Sequence, residues 1–168
     1  AERHTLNALM REKMKIAGAL SDERVIETER GKIALAIGDC IVFLENEYNE
    51  LNIKNGSSAI IEAIDGKTLT TRLMDGRMVT VDLERYDAID HGYAMTVHKA
   101  QGVTVESAYL LASRGMSAEN LYVGATRHKE NFALFYGKDK FKDVDNLAQL
   151  LSNPGRKEFS PEYEIDAE

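Results

Sequence analysis

Tyr93-Ala-Met-Thr-Val-His-Lys-Ala-Gln-Gly-Val-Thr-Val-Glu106 is the stretch whose reading decides the fold. An apolar approach runs into a polar corner at Gly102, and Val103 to Val105 lead out of it toward a second apolar run. A corner that delivers Thr, His, Lys, Gln and Glu in quick succession is what strand ends in open α/β sheets present to ligands. About twenty residues further on, Leu121-Tyr-Val-Gly-Ala-Thr-Arg-His-Lys129 forms a second dense segment.

Downstream of the corner the pattern predicts strand, helix, strand, helix. Ser107–Ser113 holds Ala-Tyr-Leu-Leu-Ala, a nearly continuous apolar run suited to a strand covered on both faces. Ser117 is placed to cap a helix carrying Leu121, Tyr122 and Ala125, in which Gly124 costs about 1 kcal/mol relative to Ala. Phe132–Tyr136 reads as the next strand. A helix follows with Val144, Leu147, Leu150 and Leu151 on one side, stopped by Asn153-Pro154-Gly155.

Upstream, turn pairs stand at Gly38-Asp39, Asn55-Gly56, Asp65-Gly66 and Asp75-Gly76. Asn-Gly and Asp-Gly supply the positive φ that tight hairpins need. The intervening Ser58–Ile64, Lys67–Met74 and Arg77–Leu83 are short and rich in β-branched residues. Val79, Val81 and Leu83 alternate, as do Leu69, Thr71 and Leu73, so each strand buries one face. With Cys40–Leu44 they predict about four or five antiparallel strands, enough for a small barrel. Before them, Leu6, Leu9, Met10, Met14, Ala17 and Leu20 fall on one helical stripe, with Arg11, Lys13 and Lys15 on other faces. That stripe predicts an amphipathic helix laid on a sheet, ended by Gly18 and the polar Ser21–Arg24 group.

Composition sets the outer bounds. The 168 residues are 43% hydrophobic and 29% charged, as in a soluble globular domain. No apolar run is long enough to span a bilayer, no export signal is visible, and a cytoplasmic site is expected. The single cysteine, Cys40, excludes a disulfide framework and a Cys-rich zinc site, and no metal ligand set is expected. A net charge of −7 excludes binding of nucleic acid by bulk electrostatics. Residues 91–140 nonetheless carry six Lys/Arg against four Asp/Glu, a local excess of +2. There is no Gly-x-x-x-x-Gly-Lys-Ser/Thr loop, so the chain by itself cannot cradle nucleotide phosphates in that manner.

Taken as strings, the two dense segments resemble one family. Thr96-Val-His-Lys-Ala-Gln-Gly102, with Thr104 and Glu106, is similar to motif V of superfamily-one helicases of the RecD type. The likeness is closer still to the helicase part of TraA-type conjugative relaxase–helicases. Leu121–Lys129 resembles motif VI of the same enzymes, with Gly124 standing where Ala is more usual. The likeness extends upstream through Gly38-Asp39, Phe43-Leu44-Glu-Asn46 and Ile53-Lys-Asn-Gly56, and covers roughly residues 4 to 152.

The resemblance implies an α/β fold: an incomplete second RecA-like lobe, interrupted by a small antiparallel β-barrel of the Src-homology type. It places the N-terminal helix and lead-in of the lobe in 1–30, the barrel in 31–90, the lobe with motifs V and VI in 91–155 and an acidic flexible tail in 156–168. It implies ATP with Mg, bound mainly by a missing N-terminal motor lobe, with Arg127 as the catalytic arginine finger and Gln101, Gly102 and Glu106 on the nucleotide. Thr96, His98 and Lys99 would contact single-stranded DNA. Tyr93 is a candidate for stacking on a base, though an aromatic entering a sheet is more often core. Glu45–Lys54 would be a contact loop of the barrel. The whole would be a helicase travelling 5′ to 3′ in conjugative plasmid transfer, with a relaxase domain as a further candidate partner and no membrane. The competing reading is a non-catalytic protein- or DNA-binding module built on the barrel, which the net acidity favours.

Overall fold

The computed structural model describes residues 2–102 and 104–151, and the chain divides into two units after Lys99. The expected tail and the Asn153-Pro154-Gly155 stop lie outside the described residues.

The first unit opens with helix α1 (Glu2–Ile16), followed by strands β1 (Ser21–Thr28), β2 (Gly31–Ile37), β3 (Cys40–Phe43), β4 (Ser58–Asp65), β5 (Thr68–Leu73), β6 (Met78–Asp82) and β7 (Ile89–His91). The Asn-Gly and Asp-Gly pairs turn where expected: Gly56, Gly66 and Gly76 have φ of 91°, 58° and 90°. All the ladders are antiparallel, in the order β6-β5-β4-β3-β7, with a register shift between Ile61 and Ala63 of β4. Alternation puts Leu69, Thr71 and Leu73 inward on β5, with Val79 and Val81 inward on β6.

The expected closed barrel is not what forms. The five-stranded sheet is open, and β1 and β2 make a separate hairpin whose first strand begins before residue 31. Ile26 and Leu35 of the hairpin bury into the same core as Ile41, Phe43, Ile61 and Val81, so the hairpin covers the sheet by packing rather than by a closing ladder. The link between the two is Gly38, with φ of 92°, whose amide donates to the Ile61 carbonyl at 2.8 Å. An added Cβ at Gly38 would stand 2.4 Å from the Ala19 carbonyl oxygen, so the turn has no room for a side chain.

Helix α1 also departs from expectation. Its buried residues are Asn7 and Arg11, whereas Leu9 and Met10 are exposed and Leu6 and Met14 half-buried. Arg3, Asn7, Arg11 and Lys15 follow one another at intervals of four, which stacks them on one face. Each finds a polar partner: Asp90 for Arg3, the Ala94 backbone for Asn7, Asp39 for Arg11 and Glu23 for both Arg11 and Lys15. These ion pairs and hydrogen bonds outcompete the apolar stripe for the inward position.

The second unit holds β8 (Val105–Leu111), α2 (Ala118–Ala125), β9 (His128–Phe135) and α3 (Val144–Leu151). β8 and β9 are parallel, with α2 as the crossover between them. Ser117 caps α2 as expected, accepting from the Asn120 amide at 3.3 Å. Phe141, Leu147 and Ala112 form its core, while Val144 at the start of α3 is exposed. Leu110 meets α2 at Gly124, where a Cβ would approach the leucine methyls to 3.1 Å; that contact explains a glycine inside a helix. The opposite face of the pair carries exposed Tyr109, Leu111 and Phe135, so among the described residues this sheet is covered on one side only.

Candidate functional site

In the first unit the decisive stretch leaves β7 at Gly92. The Gly92 amide donates to the Cys40 carbonyl at 2.8 Å, and a Cβ there would lie 2.7 Å from the Ile41 carbonyl carbon. The next residue, Tyr93, is half-buried and donates its hydroxyl to Asp39 Oδ1 at 2.6 Å. Burial, and then the neighbouring Asp39 carboxylate, push the phenol far above its ordinary pKa, which keeps the proton on the donor. Tyr93 is thus an anchor to the sheet rather than an open stacking platform. Ala94 is bracketed by Asn7, whose Oδ1 accepts from its amide at 2.8 Å and whose Nδ2 donates to its carbonyl at 3.1 Å.

Asp39 is the hub of this arrangement. It is fully buried, and it accepts from Arg11 Nε at 2.9 and 3.1 Å, Arg11 Nη2 at 2.9 Å, the Ala36 amide at 2.7 Å and the Tyr93 hydroxyl. Burial alone would lower the Arg11 pKa, and the hydrogen bonds to Asp39 and Glu23 outweigh it, so the guanidinium is held charged. Next door, burial followed by the Asp39 charge raises the Cys40 thiol to about 11, so it is an inert side chain. Asn7 and Arg11 were not expected to matter, and the four-residue spacing of Arg3, Asn7, Arg11 and Lys15 is the signal that would have shown them. In the sequence Asp39 reads as half of a turn pair and part of the upstream likeness, not as a buried hub.

Beyond Ala94 the chain enters a turn. Lys99 donates its amide to the Thr96 carbonyl at 3.0 Å, and the side chains of Thr96, His98 and Lys99 are all exposed. The three residues expected on DNA therefore sit together on one short turn of the first unit. The expected contact loop, Glu45–Lys54, is built around Glu47, whose carboxylate accepts the amides of Asn49, Glu50 and Leu51. Those backbone bonds, led by Leu51, hold the Glu47 carboxyl below its ordinary pKa. Glu50 pairs with Arg85, and the third acid, Glu45, with Arg30. Of the loop's acids, Glu47 is therefore spent on the loop's own backbone, and Glu50 and Glu45 on arginines outside it.

In the second unit Gln101, Gly102 and Glu106 are exposed, and Gly102 has φ of 86° with no atom within 4 Å of where a Cβ would stand. A backbone left open in this way can approach a ligand closely. Arg127 lies immediately beyond the C-terminus of α2, and its carbonyl accepts from the Val105 amide at 2.9 Å. That bond brings the Arg127 backbone to the first residue of β8, which stands one before Glu106 and three after Gly102 in sequence. The guanidinium folds back on its own helix, Nε donating to the Val123 carbonyl at 2.9 Å and Nη2 to Thr126 Oγ1 at 3.0 Å. Thr126 Oγ1 in turn donates to the Tyr122 carbonyl at 2.9 Å. This side chain ends the helix, satisfies one of its last carbonyls and leaves part of a planar cation at the surface. Among the described residues, no group of three or more His, Cys, Asp or Glu stands ready to hold a metal ion. None of the described helices is long and apolar enough to cross a membrane.

The chain is similar to proteins of known identity. Conjugal transfer protein TraA of Rhizobium radiobacter is 36% identical over 162 residues, which is 95% of this chain and 15% of that protein. The ATP-dependent RecD2 DNA helicase of Deinococcus radiodurans is 34% identical over 99 residues, 56% of this chain and 14% of that one. The chain thus spans about 15% of the length of these two curated relatives. In fold it resembles the Pif1 helicase from Bacteroides crystallised with ADP-AlF3 and ssDNA, with a TM-score of 0.56 and 20% identity over 78% of this chain and 37% of that one. A family model described as the viral superfamily 1 RNA helicase core domain matches residues 37–136, and so takes in the five-stranded sheet and the β8–α2–β9 crossover. With that match covering more than half of its length, the chain belongs to the superfamily 1 helicase core domain family.

Proposed function

We propose that this chain supplies motif V and motif VI of the second motor lobe of an ATP-dependent DNA helicase acting in conjugative DNA transfer. The second unit is the lobe's working edge, and the open sheet with its hairpin is the β-module inserted before it. The observation that carries the reading is the bond from the Val105 amide to the Arg127 carbonyl. It brings the helix-to-strand turn bearing Arg127, a permanent cation, to the start of the strand that carries the exposed carboxylate Glu106, with the open glycine Gly102 shortly before it in sequence.

The residues present fit one side of a nucleotide. Arg127 would meet the γ-phosphate oxygens, Glu106 would accept from the ribose hydroxyls, and Gly102 with Gln101 would give the phosphates room. The Mg2+ ion, which neutralises phosphate charge when bound, and the phosphate-cradling loop would belong to the other lobe. To engage, the Arg127 fork exchanges the Val123 carbonyl and Thr126 hydroxyl for phosphate oxygens. Its planar shape allows two parallel bonds, stronger than those to a neutral carbonyl. Thr96, His98 and Lys99 offer a hydroxyl, an imidazole and a cation to the backbone of single-stranded DNA, contacts that position the strand without reading its sequence.

The test is strand separation by the full-length protein containing this chain. It should unwind a duplex with a 5′ single-stranded tail, in an ATP-dependent manner, and the Arg127→Ala protein should bind the same substrate yet fail to separate it. A second reading has its own observation: the fork's bonds to Val123 and Thr126 are those of a helix-capping cation. On that reading Arg127→Ala lowers the melting temperature of the chain and leaves unwinding intact, which would overturn the motor role.

A further inference from the structure

The residue types most costly to bury are here concentrated behind the turn that the proposed function places on DNA. A fully buried carboxylate, a guanidinium and a buried carboxamide would destabilise the unit unless each were bonded, and each of them is. An apolar helix face would have held α1 to the sheet equally well, since Leu9 and Met10 are available and stand exposed instead. What the polar face does, and an apolar one would not, is fix direction. Asn7 bonds both backbone groups of one residue, Ala94, and Asp39 bonds the hydroxyl of the residue before it. One residue earlier, Gly92 is pressed against the Ile41 backbone. Three consecutive residues, 92, 93 and 94, are thus held by three different elements: β3, the β2–β3 turn and α1. The turn bearing Thr96, His98 and Lys99 starts directly after them.

We infer that Asn7, Arg11, Asp39 and Tyr93 are positioning residues that set the angle at which the 95–99 turn leaves the sheet, with α1 as the strut. Arg11 acts through Asp39, which it keeps charged and aimed at the Tyr93 hydroxyl; Asn7 acts on the Ala94 backbone directly. The consequence for binding rests on the proposed contact of Thr96, His98 and Lys99 with DNA, whereas the consequence for backbone order does not.

Two variants spare the buried ion pair and so test the idea without unfolding the unit: Asn7→Leu, which removes both bonds to Ala94, and Tyr93→Phe, which removes one hydroxyl. Amide hydrogen exchange in the 168-residue chain should quicken about tenfold across residues 94–99 in both variants and stay within about twofold in β4 and β5, as loss of a local restraint requires. In the full-length protein, Tyr93→Phe should weaken binding of oligothymidylate about tenfold, as for one lost hydrogen bond at the upper end, and Asn7→Leu, which loses two, at least as much. For Asn7→Leu, ATP turnover at saturating DNA should stay within about twofold, so that only the half-saturating DNA concentration moves. Equal acceleration of exchange in β4, β5 and 94–99 would show a general stabilising role and overturn the inference, as would unchanged exchange at 94–99. Lys99→Ala separates the two claims. If it leaves oligothymidylate binding unchanged while Asn7→Leu still frees residues 94–99, the DNA contact fails and the positioning role stands.

Discussion

Replacing Arg11 with Met keeps the length of the side chain and removes its charge from beside Asp39. Two neutral donors, the Ala36 amide at 2.7 Å and the Tyr93 hydroxyl at 2.6 Å, would then be left for a carboxylate with no exposed surface. Breaking one side of a buried pair costs about 3–5 kcal/mol, because the other charge stays buried without its partner. The contribution of Glu23 to the same guanidinium is smaller, since that carboxylate is 40% exposed and its pairing is screened by water. Against a domain stability of about 5–15 kcal/mol the loss is large but survivable. Asp39→Asn in the same chain removes the stranded charge while retaining an oxygen for the Ala36 amide. The double variant should therefore be more stable than the sum of the single changes predicts, with a coupling of about 2–3 kcal/mol. Urea unfolding followed by far-ultraviolet circular dichroism measures all four proteins. A cost below about 1 kcal/mol for Arg11→Met, the range of exposed pairs, would refute the hub role of Asp39; so would additivity of the two changes.

Gly92→Ala should be more damaging than its size suggests. Its Cβ would lie 2.7 and 2.8 Å from the Ile41 carbonyl carbon and oxygen, where carbon contacts favour about 3.5–4.0 Å. Overpacking of about 1–3 kcal/mol and loss of the Gly92–Cys40 bond should lower the urea midpoint, and an unchanged midpoint would contradict the close crossing. Acid should loosen the helix strut. Hydrogen bonds from Lys15, then Arg11, hold the Glu23 carboxyl below its usual value of 4.5, so its contribution is full above that pH and is lost as pH falls through the lowered value. Melting temperature should therefore fall less steeply between pH 5 and about pH 3 in Glu23→Gln than in the parent, and parallel curves would remove Glu23 from the strut. Ser117→Ala should cost about 0.5–2 kcal/mol through the lost cap on α2, read as a lower melting temperature of the chain.

What the sequence made legible was local chemistry with a fixed backbone consequence. Asn55-Gly56, Asp65-Gly66 and Asp75-Gly76 announce their turns because few other pairs accept those angles, and the alternation between them then sets the inward face. Ser117 was legible for the same reason, and the two dense segments carried the family. The β1–β2 hairpin was hidden because Ser21–Thr28 buries one residue, Ile26, and is otherwise polar or exposed, so it lacks the apolar rhythm of a core strand. The face of α1 was misread for a related reason: hydropathy ranks Leu and Met above Asn and Arg, and only the partners at 39 and 94, far along the chain, reverse the order. Gly124 looked like an anomaly until Leu110 stood opposite it. The proposed DNA and nucleotide residues came from motif likeness; the structure adds that Thr96, His98 and Lys99 share one exposed turn, and that Arg127 is bonded to the start of the strand bearing Glu106.

The central claim is that Arg127 acts on the transferring phosphate, and the rate of the chemical step tests it most directly. In a single turnover of ATP by the full-length protein on saturating single-stranded DNA, Arg127→Ala should slow hydrolysis by about 10³-fold or more, with affinity for ATP and DNA changed by less than about tenfold. Hydrolysis at the parent rate, with the melting temperature alone reduced, would make Arg127 a helix cap and contradict the account.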